Sequence, residues 1–414
     1  MRIGVITQWY PPEPVFIPST LAQDLAGRGH EVRVLTGYPN YPEGRIYPGY
    51  RQRWGERSTA GRVTVRRVPL FPSHDSSGMR RAANYLSFAA SSTTAALRYL
   101  ADVDALYVHH PPATVYAPAA LLGLLHRIPA VLHVQDVWPE SVTSSAMAPS
   151  GLAGRLLHGA LGATMRQVYR AAAGIAVTAP SMGELVAAWG ADPAKVRTVL
   201  NWTDETLFRP VAATAEARRE IGYRDRCTIM HAGNIGPYQN IAGAVRAAAT
   251  VEDAGAVDLV LVGSGIAEAE ARQLTAQLGA GNVRFLGQRD PSRMAELYAA
   301  ADYQLVSLRD LPIFHGTVPS KLQAALSCGS PVVASAPGDC ARIVEHNRVG
   351  LACPPEDWPA LAERFRQAAR LSPAERAQMA RRARDSYRTQ MSQQAGVDQL
   401  EDMLRAAVGR RAAR

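Results

Sequence analysis

The chain has 414 residues, of which 47% are apolar and 20% charged, and it carries a formal net charge of +9. That length is more than one hydrophobic core usually serves, so two domains are expected, with the composition of a soluble globular protein. The positive balance favours anionic partners such as sugar nucleotides, lipid phosphates or membrane surfaces. No Lys/Arg-rich run with interleaved aromatics marks a nucleic-acid face, and no apolar run reaches the length of a membrane span.

The opening Met1-Arg2 leads straight into an apolar strand at 3–7, without the pattern of a signal peptide. Cys227, Cys328, Cys340 and Cys353 form no C-x-x-C pair and no zinc pattern with histidine. They read as small buried thiols of a reducing compartment, and the expected location is cytoplasmic. A Pro-rich loop at 10–18 follows the first strand, then a helix over 19–29 and a strand over 30–36.

Residues 73–98 read as a mildly apolar helix, with Arg80 and Arg81 beside Tyr85, Leu86, Phe88 and Leu97. Basic residues next to an apolar face suit peripheral attachment to an anionic inner membrane face; the alternative is an ordinary domain helix. Further short strands are predicted at 104–108, 130–134 and 174–178. Their alternation with helices predicts a parallel sheet covered on both faces. Two of these strands lead into polar loops: His109-His110-Pro111-Pro112, and the stretch carrying His133, Asp136 and Glu140. Adjacent histidines on a strand point to opposite faces, so at most one of His109 and His110 is expected to face a ligand. Asp136 can orient an imidazole or bind a hydroxyl, and Glu140 fits the first turn of a helix.

The stretch 201–226 has turn and cap residues and no sustained period, and the strand–helix grammar restarts after it. Strands are predicted at 257–262, 283–286, 303–308 and 331–334, and 373–414 is Arg- and Ala-rich and helical. The expected organisation is α/β, with doubly wound Rossmann-like domains at 1–200 and 201–375. Helices at 376–414 are expected to cross back to the first domain. Ligands of such sheets bind beyond the C-terminal strand ends, here expected to face a shared central cleft.

Pro319-Ser320 opens a helix that places Lys321 in its first turn. A cation there opposes the helix dipole unless an anion such as phosphate joins it. Only two of the 45 basic residues are lysines, Lys195 and Lys321, so a Lys kept at this helix start hints at a point-charge contact. Gly233-Asn234-Ile235-Gly236 lies between a strand and a helix, where glycines let backbone amides approach phosphate oxygens. Gly263-Ser264-Gly265 and Gly287-Gln288-Arg289 end the next two strands, and Arg289 is placed to read a base. Position 268 is Glu, so no dinucleotide fingerprint is present. A plain strand-to-helix turn is the alternative at each glycine loop.

The segments YPPEP, LAGRGHEVRVLTGYPNYPEGRIYPGYR, QDVWPES, HAGNIG, LVGSG, NVRFLGQRD and PSKLQAALSCGSPVV occur in this order. In that order and spacing the chain resembles retaining glycosyltransferases of family 4. These have the GT-B fold, and the similarity is to the fucosamine-transferase-like and colanic-acid-type subgroup. The resemblance implies a nucleoside-diphosphate sugar, UDP-linked by preference, in the second domain. It also implies a glycan or lipid-linked acceptor in the first, for cell-surface polysaccharide or glycoconjugate synthesis. Transfer would proceed with retention, without metal or other cofactor.

On that basis His133, Asp136 and Lys321 are the expected catalytic groups. Donor contacts are expected from Gly233, Asn234, Gly236, Gln239, Gly263, Gly265, Gly287, Arg289, Arg309, Pro319, Ser320, Lys321 and Leu322. Acceptor contacts are expected from Pro14, Phe16, His109, His110 and Glu140. The departures are specific. Asn234 and Gln239 stand where the family places cations, and Gly316 and Ala324 where it places an E-x7-E pair. Gln323 is one position away, about 100° around a helix. Residues 15–19 replace the glycine pair common after the first loop. These changes keep two rivals open: an inactive glycosyltransferase-like binding or scaffold protein, and a sugar-nucleotide epimerase.

Overall fold

A computed structural model describes residues 1–74, 77–143, 151–251 and 257–412. The chain divides into two compact units, one of Met1–Leu200 with Gly396–Arg414, the other of Asn201–Ala395. Each is built on a single sheet with helices between its strands, the doubly wound α/β arrangement expected from the alternating sequence pattern.

In the first unit β1 (Arg2–Ile6), β2 (Glu31–Gly37), β3 (Arg57–Ala60) and β4 (Val63–Val68) are followed by β5 (Ala105–His110), β6 (Ala130–Val134), β7 (Gly174–Val177) and β8 (Val196–Thr198). Their order is β3-β4-β2-β1-β5-β6-β7-β8. All pairings are parallel except β3 with β4. Ile3, Val5, Ile6, Val32, Val34, Leu106, Val108, Val131 and Leu132 are fully buried, as strands sandwiched between helices require. The β3–β4 hairpin was not anticipated. All four β3 residues, Arg-Ser-Thr-Ala, are exposed, so this edge strand carries no apolar alternation to read. β5 also runs further than its apolar stretch: His109 pairs in register with His133 and His110 with Val134, which draws both histidines out of the loop and into the sheet.

The C-terminal residues of the first unit are anchored by charge. Arg28 donates to Glu401 at 2.8 Å and His30 Nε2 faces the same carboxylate at 2.9 Å. Burial pushes the Glu401 carboxyl up, but hydrogen bonds from Arg28, His30 and Arg405 outweigh it and hold it down at about 2.

The second unit has β9 (Cys227–Ala232), β10 (Val257–Val262), β11 (Val283–Gly287), β12 (Tyr303–Ser307), β13 (Val332–Ser335) and β14 (Gly350–Cys353). The order is β11-β10-β9-β12-β13-β14, parallel throughout. Strand order reverses between β9 and β12 here, and between β1 and β5 in the first unit. Helices leave in opposite directions at those points, opening a crevice beyond the strand ends. Among the described residues no helix is long and apolar enough to cross a membrane.

Candidate functional site

In the second unit three strand ends interlock around glycines. Gly233 donates to Val262 O and Gly263 to Gly287 O, each at 2.8 Å, while Ile235 donates to Ser264 O at 2.9 Å. Gly233 and Gly263 take φ of +123° and +128°, which side-chain-bearing residues rarely adopt. A Cβ on Gly263 would lie 2.0 Å from Gly233 O, so the loops after β9 and β10 touch backbone to backbone. A Cβ on Gly265 would meet Asn234 Oδ1 at 2.6 Å, so Asn234 lies on the same seam.

Lys321 reaches this seam from the other side of the switch point. A Cβ on Gly233 would lie 2.9 Å from its Cε and 3.3 Å from its Nζ. The helix Ser320–Cys328 starts after Pro319 without a side-chain cap. The Leu322 amide donates to Pro319 O at 2.9 Å, while those of Ser320 and Lys321 have no acceptor among the described residues. Lys321 is only partly exposed, and burial lowers its pKa. No carboxylate pairs with it among the described residues. The crevice thus offers an ammonium beside a bare glycine backbone and, one side chain's length away, an uncapped helix start with two unengaged amides, donor types that suit an anion such as phosphate.

Several predicted donor residues are engaged within the protein. Gln239 Oε1 accepts from the Gly236 amide at 3.1 Å, closing the loop on itself. Arg289 pairs with Glu220 at 2.5 Å and caps the carbonyls of Leu286 and Gln288, so its guanidinium is turned onto its own unit. Arg309 Nε donates to Glu356 at 3.1 Å, and the Arg309 amide donates to Tyr238 O at 2.9 Å. Gln323 is buried, its amide 3.5 Å from Val318 O, and Ala324 is buried beside it.

Sequence reasoning missed three features here. Glu356, held at φ +59°, accepts from both Arg309 and the Asp310 amide. Tyr238 and Phe314 meet edge to face at 5.7 Å and join the glycine loop to the segment before Lys321. His231, fully buried, faces Asn234 O at 3.3 Å. Burial, and then the Lys321 charge, push its pKa down to about 3. It is a neutral prop under the loop.

In the first unit β5 and β6 carry a polar cluster. Tyr107 OH lies 2.7 Å from His133 Nδ1 and 3.1 Å from His109 Nδ1, while Gln135 Nε2 lies 3.2 Å from His133 Nε2. His133 is fully buried and burial lowers its pKa to about 4; His109, also buried, falls well below the ordinary range. His110 points to the other face, buried against Trp138 at 5.8 Å, with a pKa pushed by burial down to about 3. All three imidazoles are neutral near pH 7 and can orient neighbours or hydroxyls but not supply positive charge. Asp136 is exposed as a whole residue, and desolvation by the protein packed around its carboxyl raises its pKa. Glu140 accepts from Trp189 Nε1 at 2.7 Å.

Pro14 and Phe16 are exposed on the loop after β1. That loop is shaped by Glu13, a residue sequence reasoning passed over. Its buried carboxylate accepts from the amides of Tyr10, Asn40 and Tyr41 at 3.0, 2.8 and 2.9 Å, clamping together the loops after β1 and β2. Burial raises its pKa and the three amides oppose the rise. Arg67, also buried, completes the clamp by donating to Gly37 O at 2.9 Å and Pro11 O at 2.5 Å. The signal available was an acid inside the Pro-rich YPPEP stretch, flanked by residues that cannot donate.

Two family models match the chain: a glycosyl transferase 4-like domain over residues 19–202, and glycosyl transferases group 1 over residues 214–386. The putative colanic acid biosynthesis glycosyl transferase WcaI of Escherichia coli (strain K12) is 27% identical over 381 residues, covering 90% of this chain and 93% of WcaI. The D-inositol 3-phosphate glycosyltransferase of Mycobacteroides abscessus is 36% identical over 185 residues, covering 42% of this chain and 40% of that protein. Among solved structures, sucrose-phosphate synthase from Thermosynechococcus elongatus aligns with a TM-score of 0.71 at 18% identity, covering 98% of both chains. Anabaena Alr3699/HepE in complex with UDP aligns with a TM-score of 0.70 at 17% identity, covering 98% of this chain and 100% of that one.

Proposed function

The chain belongs to glycosyltransferase family 4 and has the GT-B fold, and from that premise we propose that it transfers a sugar, with retention, from a UDP-sugar to a glycan or lipid-linked acceptor. The process we assign is cell-surface polysaccharide synthesis, which the name of the colanic acid relative supports. The observation that carries the reading is Lys321: a partly buried ammonium against Gly233, beside the unengaged amides of Ser320 and Lys321. Such a site costs stability when empty and is rewarded by a diphosphate.

The reaction breaks the bond between the anomeric carbon and the diphosphate oxygen. An acceptor oxygen bonds to that carbon on the same face, and the acceptor's proton passes to the departing diphosphate. Charge grows on the leaving group, and Lys321 with the helix-start amides stabilises it without a resident metal or other cofactor. The backbones of Gly233, Gly236, Gly263, Gly265 and Gly287, with Asn234 and Gln239, shape the crevice. Arg309 borders it through the Tyr238 contact, and Arg289 acts by holding the Gly287 loop. On the first unit Asp136 is assigned to the reacting sugar and acceptor hydroxyl; His133, expected to be catalytic, is fully buried and acts from beneath by holding Gln135. Pro14, Phe16, His109, His110 and Glu140 support acceptor binding, His109 and His110 from buried positions and Glu140 from a half-buried one. UDP bound to HepE, a protein of the same fold, is consistent with the nucleotide choice.

One observation favours a rival: Gly316 and Ala324 leave the usual carboxylate pair empty, as an inactive binding protein would tolerate. Thermal shift with UDP, GDP, dTDP and their sugar conjugates, followed by a search for transfer, separates the readings. A shift with a uridine ligand that is lost in Lys321→Ala, together with transfer to acceptor, is the expected result. Binding without turnover supports the inactive protein. Conversion of the donor without acceptor supports an epimerase.

A further inference from the structure

The first unit holds a groove of about 790 Å3 that the sugar-transfer reading leaves unused. Tyr116, Ala119, Ala120, Gly123, Leu124 and Arg127 line it along one face of the helix Ala117–His126 and the residues flanking it. They recur at three- and four-residue steps, so they form one continuous stripe. Eleven residues of rise make that stripe roughly 16 Å long. Its middle is small and apolar, and Leu124 stands 79% exposed at its edge, with neighbouring Leu125 57% exposed.

The lining holds five cations, Arg127, Arg170, Lys195, Arg410 and Arg411, and no Asp or Glu. Arg410 donates to Ala173 O at 2.7 Å, Arg411 to His126 O at 3.1 Å and Lys195 to Arg170 O at 3.4 Å. These bonds gather the charges at the end where the helices Ala117–His126 and Gly151–Ala171 terminate. Capping of helix carbonyls accounts for Arg410 and Arg411. It does not account for Arg127 and Arg170, whose exposed guanidinium groups have no acceptor among the described residues, nor for an exposed Leu124 beside them.

We propose that this groove binds an anionic phospholipid of a bilayer, the phosphate among the cations and an acyl chain along Ala119, Ala120, Gly123 and Leu124. Charge complementarity chooses the occupant. A second copy of the chain would bring the same cations face to face, which is repulsive. Nucleic acid would need stacking faces, and Tyr116, the one aromatic residue in the lining, is 4% exposed. An anionic amphiphile satisfies both ends of the groove, and its volume lies within the roughly 300–1,000 Å3 of small-molecule sites. The site does not depend on the sugar-transfer reading.

The test is flotation of the full chain with phosphatidylcholine vesicles, with and without phosphatidylglycerol. Binding is expected only with phosphatidylglycerol and should fall as salt rises. Arg127→Glu/Arg410→Glu/Arg411→Glu should weaken it on the order of a hundredfold or more, the scale for losing three cations near an anionic surface. Because that variant also removes two helix tethers, Arg127→Glu/Arg170→Glu and Leu124→Ser serve as second variants that leave those tethers in place; both should weaken binding. A control with equal charge change on the second unit, Arg246→Glu/Arg370→Glu/Arg381→Glu, should bind as the parent does. Absence of binding to phosphatidylglycerol vesicles, or equal loss in the control, overturns the proposal.

Discussion

Replacing Lys321 by methionine keeps most of the apolar stem of the side chain and removes its charge, so it separates a ligand-binding lysine from a structural one. In the empty protein the ammonium has no carboxylate partner among the described residues and burial lowers its pKa, so the charge is a cost to the fold. The linkage sign follows: the unfolded chain holds this proton more tightly. Stability therefore rises with pH between the lowered folded pKa and the unfolded value, and below the folded pKa the penalty stands in full. Lys321→Met should leave the empty protein as stable as the parent or slightly more so.

With a diphosphate present the sign reverses. A unit charge pair at about 4 Å in a partly solvated site is worth up to ~4 kcal/mol. Removing one charge-stabilising donor typically costs about 2–4 kcal/mol, roughly thirty- to a thousandfold. Calorimetric titration with UDP should show that loss in affinity, and a thermal melt without nucleotide should show no fall. A variant that unfolds at lower temperature yet binds UDP as the parent does would refute the assignment.

Other perturbations test the neighbouring elements. Gly263→Ala places a Cβ 2.0 Å from Gly233 O at φ +128°, so it should lower stability by about 1–3 kcal/mol in urea unfolding and weaken nucleotide binding in the same protein. Glu13→Gln turns an amide N–H2 toward backbone donors and should cost about 1–3 kcal/mol, a Tm lower by roughly 3–10 °C, with acceptor KM affected more than donor KM. The imidazoles of His110, His133 and His231 have folded pKa values pushed down to about 3, 4 and 3. The unfolded chain binds these protons first, so stability should fall as pH drops from about 6.5 toward 4. His110→Asn should flatten that fall in a series of melts across the range, and an unchanged slope would show that His110 is not among the groups responsible.

What the sequence revealed was what neighbouring residues reveal about one another. The apolar runs of Ile3, Val5 and Ile6, or of Leu259, Val260 and Leu261, announce strands buried on both faces. Glycines straight after those runs mark strand ends, and a Lys in an uncapped helix start is a local anomaly. Less legible were side chains whose roles depend on distant partners. Nothing around Glu13 says that Asn40 and Tyr41 will fold back onto its carboxylate. Arg289 looks like a base-reading cation until Glu220, far away in the chain, takes it up. Glu140 looks like a helix-start acid and is met by Trp189. The β3–β4 hairpin escaped notice for a different reason: an exposed edge strand buries no face, so no period had to be written into it.

The most direct measurement is the crystal structure of the protein with UDP. The diphosphate is expected beyond the ends of β9 and β12, with its oxygens on Lys321 Nζ and the amides of Ser320 and Lys321, over the bare backbone of Gly233. Nucleotide bound elsewhere, or in that crevice with Lys321 turned away from the phosphates, would contradict the donor site argued from Lys321.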